Sequence, residues 1–327
     1  MSYVVGIDGG GTKTVAAVAT LDGEIVATGT AGPSNVATLG VAKARAAVER
    51  AFFSALRACG APRRSVMAVC LGLAGLDSPR VLRRVRGAAR FWRVGPNVRV
   101  EQDSTIALAT ATRLEEPGVV VIAGTGSVVM GTDGAGRIVK VGGWGYILDD
   151  EGSAFRIGLE GLRAISKSFD GRLPRTRLMR YILSEMGVRD FYGLLEKVYS
   201  EELSPAAIAA LAPAVTRAAS EGDRVALTVV RSAAAGLAAM VTTALRRLRL
   251  REATVYYTGG VFASELFLRL FEGFVRRRSP GISVERLRLQ PVVGAVYLAL
   301  RQAGVELGEY VLNQVRESAE RLGLAQG

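Results

Sequence analysis

The sequence predicts a two-lobed α/β protein, and three observations lead to this prediction. The chain has 327 residues, more than a single compact core usually organises. Apolar runs of strand length alternate with segments of helical periodicity, as in α/β proteins. A pattern of strand, glycine-threonine corner, strand, Asp-Gly turn and strand occurs twice, which indicates an internal duplication of the fold.

The first copy of this pattern starts at the N-terminus. Residues 3–8 and 14–20 are runs rich in β-branched side chains, and they flank a glycine corner at 9–13. Asp22-Gly23 then turns into a third run at residues 24–27. Asp-Gly turns between such runs are typical of antiparallel hairpins, so we expect a three-stranded meander.

Helices and strands then alternate up to the second copy. We expect helices at 39–59, 79–91 and 104–113 and strands at 66–73 and 97–101. The second meander is predicted to comprise a strand at 119–123, a corner at 124–127, a strand at 128–130, a turn at 133–136 and a strand at 137–141. Beyond residue 152 the chain is mainly helical, with strands at 253–257 and near 284–289.

These elements predict a domain division. Residues 1–112 are expected to form an N-terminal lobe, onto which a C-terminal helix at about 305–327 packs back. Residues 113–304 are expected to form the larger C-terminal lobe.

The residue composition excludes some kinds of catalysis, and sequence patterns predict where the protein is located. The sequence contains no histidine, which excludes Ser-His-Asp catalysis and histidine metal ligands. Cys59 and Cys70 have no metal-knuckle spacing, so we expect buried thiols in a reducing compartment. The N-terminus lacks a basic region and reaches Asp8 within a strand pattern, which favours a cytoplasmic protein. The uncharged helical stretch at 232–245 is too short to span a membrane, so we expect a core helix and no membrane partner.

The chain is strongly basic, with a formal net charge of +12. Of its 42 basic residues, five are lysine and 37 arginine, a preference found in GC-rich and some high-temperature sources. Arginine runs at 83–86, 246–251 and 276–278 are dense enough to attract nucleic acid. No helix-turn-helix pattern precedes the first strand, and few aromatic residues interleave the arginines. We therefore expect solvated helix faces and ion pairs, and no nucleic-acid partner.

The first glycine corner carries the most informative chemistry. Consecutive glycines let backbone N–H groups point into one concavity, where they can bind phosphate oxygens. The expected phosphate-binding residues are Gly10, Gly11, Thr12, Lys13 and Thr14. Asp8 is expected to hold a magnesium ion through water. The alternative is a glycine hairpin without a ligand, and the order Gly-Lys-Ser/Thr of a Walker A loop is absent.

Two further glycine turns repeat this chemistry. Thr125 and Gly126 lie at the matching corner of the second meander and are expected to bind phosphate. Gly259-Gly260 follows a strand and suits close approach by a ribose or a flat ring. The alternative for Gly259-Gly260 is a simple entry loop of a helix.

In order and type, these segments resemble the sugar kinase, actin and heat-shock chaperone ATPase superfamily. Within it the chain is similar to the BadF/BadG family, which contains N-acetylglucosamine kinases. The resemblance covers nearly the whole chain and rests on residues 6–14, Ser34-Asn35, Gln102-Asp103, residues 123–127 and residues 142–145 leading into 150–154. It implies two ribonuclease H-like lobes, each a mixed five-stranded sheet flanked by helices, with a ligand cleft between them, and a homodimer.

The resemblance also implies roles for individual residues. Asn35, Asp103, Gly143 and Asp150 match positions that contact the sugar, and Asp103 matches the catalytic base. A carboxylate is suited to this role because a sugar hydroxyl is a poor nucleophile until an acceptor takes its proton. The alternatives are a helix N-cap for Asp103 and a turn residue for Asp150.

The implied activity is transfer of the γ-phosphoryl group of ATP to the 6-hydroxyl of a hexose or amino sugar, with Mg²⁺. The sugar is expected to be N-acetylglucosamine, glucosamine or glucose. The alternative is an ATPase that drives a conformational change in a partner enzyme. Family members of that kind hold an iron-sulfur cluster with cysteines in glycine-rich loops, whereas Cys59 and Cys70 lie outside such loops.

Overall fold

The structure is a computed structural model that describes residues 1–199 and 203–326. The chain divides into two compact units. Unit 1 comprises Met1–Glu116, Gly134–Gly136 and Leu287–Gly327, and unit 2 comprises Pro117–Asp133 and Arg137–Arg286.

Unit 1 is built on a five-stranded mixed sheet with the order β3-β2-β1-β4-β5. Its strands are β1 (Tyr3–Gly9), β2 (Thr14–Thr20), β3 (Ile25–Ala31), β4 (Val66–Leu73) and β5 (Val98–Gln102). The first three strands are antiparallel, and β4 and β5 run parallel to β1. Its helices are α1 (Val36–Ala58), α2 (Pro79–Ala89), α3 (Asp103–Thr112), α11 (Pro291–Gln302) and α12 (Glu309–Arg321), and a short 3₁₀ turn spans Arg63–Ser65.

The sheet of unit 1 is covered on both faces by apolar side chains. One cluster joins β1 and β4 to α1 and α2, and the other joins them to α3, α11 and α12. Two glycines allow the helices to approach closely. A Cβ at Gly6 would lie 2.5 Å from the backbone nitrogen of Val296 in α11, and one at Gly29 would lie 2.3 Å from that of Ala55 in α1.

Unit 2 repeats the same sheet with the order β10-β9-β6-β7-β8. Its strands are β6 (Gly118–Ala123), β7 (Ser127–Thr132), β8 (Ile138–Gly142), β9 (Ala253–Thr258) and β10 (Ile282–Arg286). The two sheets correspond strand by strand and in strand direction. In order across the sheet, the strands of unit 2 that match β3, β2, β1, β4 and β5 are β8, β7, β6, β9 and β10. The predicted duplication and the two five-stranded mixed sheets are therefore confirmed.

The remaining helices belong to unit 2. They are α4 (Ala154–Phe169), α5 (Leu178–Met186), α6 (Phe191–Tyr199), α7 (Pro205–Ala209), α8 (Ala212–Ser220), α9 (Arg224–Leu248) and α10 (Glu265–Arg278), with a 3₁₀ turn at Gly260–Ala263. Most of the buried side chains of α9, including Leu237 and Val241, lie in the apolar core of the unit.

Helix α9 departs from the expected length. Its 25 residues exceed the predicted stretch at 232–245, because the helix continues through the flanking arginines at both ends. Among the described residues it is the one helix long and apolar enough to cross a membrane by length and composition, and half of its most apolar window is buried inside the protein. Its place in the core of unit 2 agrees with the predicted core helix.

Other boundaries also differ from expectation. The predicted lobe boundary at residue 304 is too late, because α11 packs against β1 and α3 and the division falls between Arg286 and Leu287. Helix α1 starts at Val36 rather than residue 39 and is kinked at Gly40, whose φ is +76°. Cys70 is buried as expected, whereas Cys59 is partly exposed.

Candidate functional site

In unit 1, the carboxyl ends of three parallel strands define one edge of the sheet. Gly9 pairs with Leu73, and Leu73 pairs with Gln102, so β1, β4 and β5 end level with one another. Asp8 lies next to the end of β1, and Asp103 follows β5 directly. Ligands of open α/β sheets bind outside the carboxyl ends of their strands. The edge therefore brings two of the predicted functional carboxylates together.

The two carboxylates at this edge influence each other electrostatically. Burial raises the pKa of Asp8 to about 7, and the Asp103 carboxylate adds to the rise. The Lys13 ammonium opposes both effects. A nearby cation would lower this pKa and favour the ionised form of the Asp8 carboxyl group.

The first corner is held by hydrogen bonds that fix its backbone. The Gly10 N–H donates to the carbonyl of Lys13 at 3.0 Å, and the Ser34 N–H donates to the carbonyl of Gly10 at 3.0 Å. The Thr14 hydroxyl is fully buried, donates to the carbonyl of Gly32 at 2.7 Å and lies 2.8 Å from the Ser34 hydroxyl. This role differs from the predicted one, because the Thr14 hydroxyl is engaged within unit 1.

The exposed donors of the corner are therefore the backbone N–H of Gly11 and the side chains of Thr12 and Lys13. At Gly11 no protein atom lies within 4 Å of a Cβ position, and at Gly10 the nearest is 3.5 Å away. Neither glycine has a positive φ. Since neither the backbone nor the packing requires glycine there, the open space suits close approach by a ligand.

Asn35 caps α1 and faces the same edge of the sheet. Its Oδ1 accepts hydrogen bonds from the N–H groups of Ala37 at 2.9 Å and Thr38 at 3.3 Å. A Cβ at Gly75, whose φ is +81°, would lie 2.5 Å from that oxygen, so the loop after β4 packs directly on the cap. Among the described residues, the Asn35 Nδ2 has no hydrogen-bond partner.

Asp103 is the first residue of α3, and its Oδ1 accepts a hydrogen bond from the Ser104 N–H at 2.8 Å. The preceding residue, Gln102, occupies the N-cap and donates from its side chain to the carbonyl of Leu76. The predicted alternative of an N-cap at Asp103 is therefore off by one residue.

The second corner, in unit 2, is anchored differently. Its Gly124 N–H donates to the carbonyl of Gly126 at 2.9 Å, and the N-terminus of α4 donates to the corner from Ala154 and Phe155. No protein atom lies within 4 Å of a Cβ at Gly124, and its φ is not positive. As at Gly11, the protein alone does not require glycine here.

Asp150 lies against this second corner. It is 6% exposed, and its Oδ1 accepts a hydrogen bond from the Ser127 N–H at 3.2 Å. A Cβ at Gly126 would lie 3.1 Å from that oxygen. Burial raises the pKa of Asp150 although the Ser127 N–H opposes the rise, and the neighbouring Asp149 contributes to it. Its φ of +71° is a conformation that aspartate tolerates better than most residues.

The loop before Asp150 contains the predicted residue Gly143. Gly142, Gly143 and Gly145 all have positive φ, which explains the glycines of this loop. The Lys140 ammonium donates to the carbonyl of Gly143 at 3.1 Å and lies 4.5 Å from the ring centre of Trp144. The Trp144 N–H donates to Asp149 at 3.4 Å, so the loop is tied to the segment that carries Asp150.

A cavity of about 890 Å³ joins the second corner to the turn after β9. Gly124 and Thr125 line it together with Gly260, whose Cβ position is open. Gly259 serves the fold instead, because its φ is +109° and a Cβ there would lie 2.3 Å from the carbonyl oxygen of Ala123. The structure therefore brings the predicted residues Thr125 and Gly260 into one cavity large enough for a nucleotide.

The sequence did not reveal the other walls of this cavity. One wall is formed by small residues of α7 and α8 and the turn between them, namely Ala206, Ala209, Ala210, Ala212 and Pro213. The lining also includes Ser264, Glu265 and Arg269 around the start of α10. Alanine and proline carry no chemical signature of a ligand, and only the folded chain places them beside Gly124.

No cluster of three or more potential metal-ligating side chains occurs among the residues that the structure describes. A site for Mg²⁺ does not need such a cluster, because this ion is usually held by one or two carboxylates, with waters and phosphate oxygens as its other ligands. Asp8 offers a carboxylate of this kind beside the first corner.

The chain is similar to known proteins over most of its length. The profile of the BadF/BadG/BcrA/BcrD ATPase family matches residues 5–299. An N-acetylmuramic acid/N-acetylglucosamine kinase of Clostridium acetobutylicum is 31% identical over 302 residues, which is 91% of this chain and 98% of that protein. An N-acetyl-D-glucosamine kinase of Dictyostelium discoideum is 28% identical over 309 residues, or 90% of this chain and 97% of that protein.

A solved structure from Chromobacterium violaceum, assigned as an N-acetylglucosamine kinase, has a TM-score of 0.76 and 26% identity. The match covers 92% of this chain and 99% of that one. The similarity thus spans both units and both corners.

Proposed function

The chain belongs to the BadF/BadG/BcrA/BcrD ATPase family, and we propose that it is a kinase that transfers the γ-phosphoryl group of ATP to the 6-hydroxyl of an amino sugar. The preferred substrate is N-acetylglucosamine or a close derivative, with glucosamine and glucose as further candidates. This choice is supported by relatives that are kinases of N-acetylglucosamine and N-acetylmuramic acid.

The observation that carries the proposal is the cavity at the second corner. Its volume of about 890 Å³ accommodates a nucleotide, and the open Cβ positions of Gly124 and Gly260 let the ligand touch the backbone. Its small alanine side chains leave room for a flat base. In this account Thr125 and Gly126 bind phosphate oxygens, and Gly259-Gly260 lies beside the adenosine.

The first unit supplies the acceptor chemistry. Asp103 accepts the proton of the attacking sugar hydroxyl as the phosphoryl group arrives, which makes the hydroxyl a better nucleophile. Asn35 donates from Nδ2 to a sugar hydroxyl while its Oδ1 caps α1. Asp150 and Gly143 of unit 2 are proposed as further sugar contacts, and the first corner, Gly10 to Lys13, as a phosphate-binding segment with backbone donors and one ammonium group.

Mg²⁺ would be held through water by Asp8, with phosphate oxygens as its other ligands. When bound, the ion neutralises the charge that develops on the phosphates during transfer. Loss of the Asp8 proton near neutral pH matches this use, because the ionised form is the one that holds a cation.

The remaining predictions from the sequence become part of the proposal. We place the protein in the cytoplasm as a homodimer without a membrane or nucleic-acid partner. The second candidate function is an ATPase that activates a partner enzyme. The position of Cys59 at the end of α1 and of Cys70 inside β4 speaks against a shared iron-sulfur cluster.

A panel of sugars with MgATP tests the proposal. ADP release is measured with N-acetylglucosamine, N-acetylmuramic acid, glucosamine, glucose and no sugar, and the phosphorylated product is identified by mass spectrometry. We expect strong stimulation by at least one amino sugar and formation of its 6-phosphate. ATP hydrolysis that no sugar stimulates would instead favour the activator.

A further inference from the structure

A groove between α4 and α9 in unit 2 has no part in the proposed reaction. Its volume is about 840 Å³, within the range of small-molecule sites. The described residues that line it include none that line the nucleotide cavity and none of the predicted sugar contacts. The groove is thus a distinct candidate site within the described part of the chain.

The walls of the groove are mainly apolar. They are formed by Ile157 and Ala164 of α4, Val225 and Val229 of α9, and Leu173 and Pro174 of the segment after α4. At its inner end, a Cβ at Gly236 of α9 would lie 2.8 Å from Oε2 of Glu151, so the helix comes close to the segment after Asp150. Such walls suit an apolar body better than a hydrated sugar.

The outer end of the groove is positively charged. Lys167 lies in the last turn of α4, and Arg224 is the first residue of α9. Both side chains are exposed, and within residues 1–199 and 203–326 neither is paired with a carboxylate. Two cations at one end of an apolar groove are complementary to an anionic head group.

The acidic groups of the groove do not neutralise this end. Glu160, midway along α4, is paired with Arg156 at 3.5 Å and with Arg163 at 2.8 Å. Glu151 lies at the opposite, inner end. Glu160 lies seven helical positions before Lys167, a rise of roughly 10 Å along α4, so this paired carboxylate is about two turns away from the cationic end.

We propose that this groove binds a small amphiphilic organic anion. Its carboxylate, phosphate or sulfonate head pairs with Lys167 and Arg224, and its apolar body lies against Ile157, Ala164 and Val229. The head group gains charge-assisted hydrogen bonds, and the body gains the burial of apolar surface. This site does not depend on the proposed kinase activity.

The probe for the test is 8-anilinonaphthalene-1-sulfonate, which joins a sulfonate head to an aromatic body and fluoresces in apolar surroundings. It is titrated into the full chain in the presence of a saturating non-hydrolysable ATP analogue, which occupies the nucleotide cavity. We expect saturable binding of a single equivalent, weakened by inorganic phosphate that competes for the cationic end.

Two variants address the head and the body separately. Lys167→Gln combined with Arg224→Gln removes the cationic end and should weaken probe binding at least about tenfold. Thr228→Trp, at an exposed position that lines the groove, should fill it and abolish binding. The matched controls are Arg246→Gln with Arg251→Gln, and Ala239→Trp, all at exposed positions outside both cavities.

The comparison between variants decides the proposal even if the ATP analogue fails to bind. Loss of probe binding in the groove variants, with wild-type affinity in the controls, supports it. Unchanged affinity in the groove variants, equal losses in the controls, or no saturable binding to the wild-type chain would overturn it.

Discussion

The two glycine corners occupy matching positions in duplicated sheets, but the residues around them differ. The first corner is flanked by Asp8 and Asp103 and carries the exposed cation Lys13. The second has no lysine, is bound by the N-terminus of α4 and opens into a cavity with one wall of small apolar residues. Under the proposed function, both corners bind phosphate, the first beside the carboxylates of unit 1 and the second beside the nucleotide.

The largest expected effect is a loss of turnover on substitution of Asp103, beside the first corner. Asp103→Asn keeps the shape of the side chain but cannot accept the hydroxyl proton, so kcat should fall by roughly 10²–10⁴. The KM for the sugar should change much less. Steady-state kinetics with the preferred sugar measure both values, and a loss confined to KM would mean that Asp103 only positions the substrate.

Asp150→Asn should show the opposite balance, because Asp150 is assigned to sugar binding rather than to proton transfer. The KM for the sugar should rise more than kcat falls. If Asp150→Asn loses turnover while Asp103→Asn keeps it, the roles of the two carboxylates must be exchanged.

The next effect tests whether the open glycines admit a ligand. Gly10→Val and Gly124→Val place a branched side chain where no protein atom obstructs it, so the fold should survive. ATP-analogue affinity, measured by calorimetry, should fall by about 10- to 100-fold. Gly87→Val is the control, since its Cβ position is equally open but lies in α2. Equal affinities in all three variants would remove the phosphate assignment.

A smaller effect, on the free energy of unfolding, distinguishes a glycine required for close packing from one whose Cβ position is open. Gly6→Ala forces a methyl group against the backbone of α11 and should cost about 1–3 kcal/mol in the free energy of unfolding. Gly11→Ala should change that free energy by no more than about 0.5 kcal/mol. Urea denaturation of both variants provides the values, and equal costs would contradict the distinction.

The smallest effect is a pH dependence at the second corner. Burial raises the pKa of Asp150, so the folded state holds its proton to higher pH than the unfolded chain, whose pKa is about 3.9. The contribution of Asp150 to stability therefore declines as the pH rises from about 4 through the raised folded value. Asp150→Asn should gain unfolding free energy over the wild type across this range. Parallel curves for the two proteins would contradict the assignment.

Most of the fold could be predicted because strand and turn patterns depend on residues that are neighbours in the sequence. β-branched runs between glycine and Asp-Gly turns predicted the strands of both meanders to within four residues at each end. The position of α11 could not be read in the same way. Its place beside β1 depends on Gly6, which permits close packing only once both elements have formed.

The sequence predicted the site from the types of its residues, but it could not show what surrounds each residue in the folded chain. Sequence alone could not distinguish Gly9, which packs against Ser34 and Leu73, from Gly11, which has open space. Nor could it show that the Thr14 hydroxyl is used inside unit 1. The small-residue wall of α7 and α8 gave no signal, because its role comes from shape and not from functional groups.

The division of labour between the corners is tested most directly by calorimetric titration of Asp103→Asn with a non-hydrolysable ATP analogue. Unit 2 should bind the nucleotide without help from Asp103, so the affinity should stay within about threefold of the wild type, a difference well below 1.4 kcal/mol. A loss of affinity as large as that of Gly124→Val would contradict the account, because it would make Asp103 a nucleotide contact rather than the proton acceptor of the sugar hydroxyl.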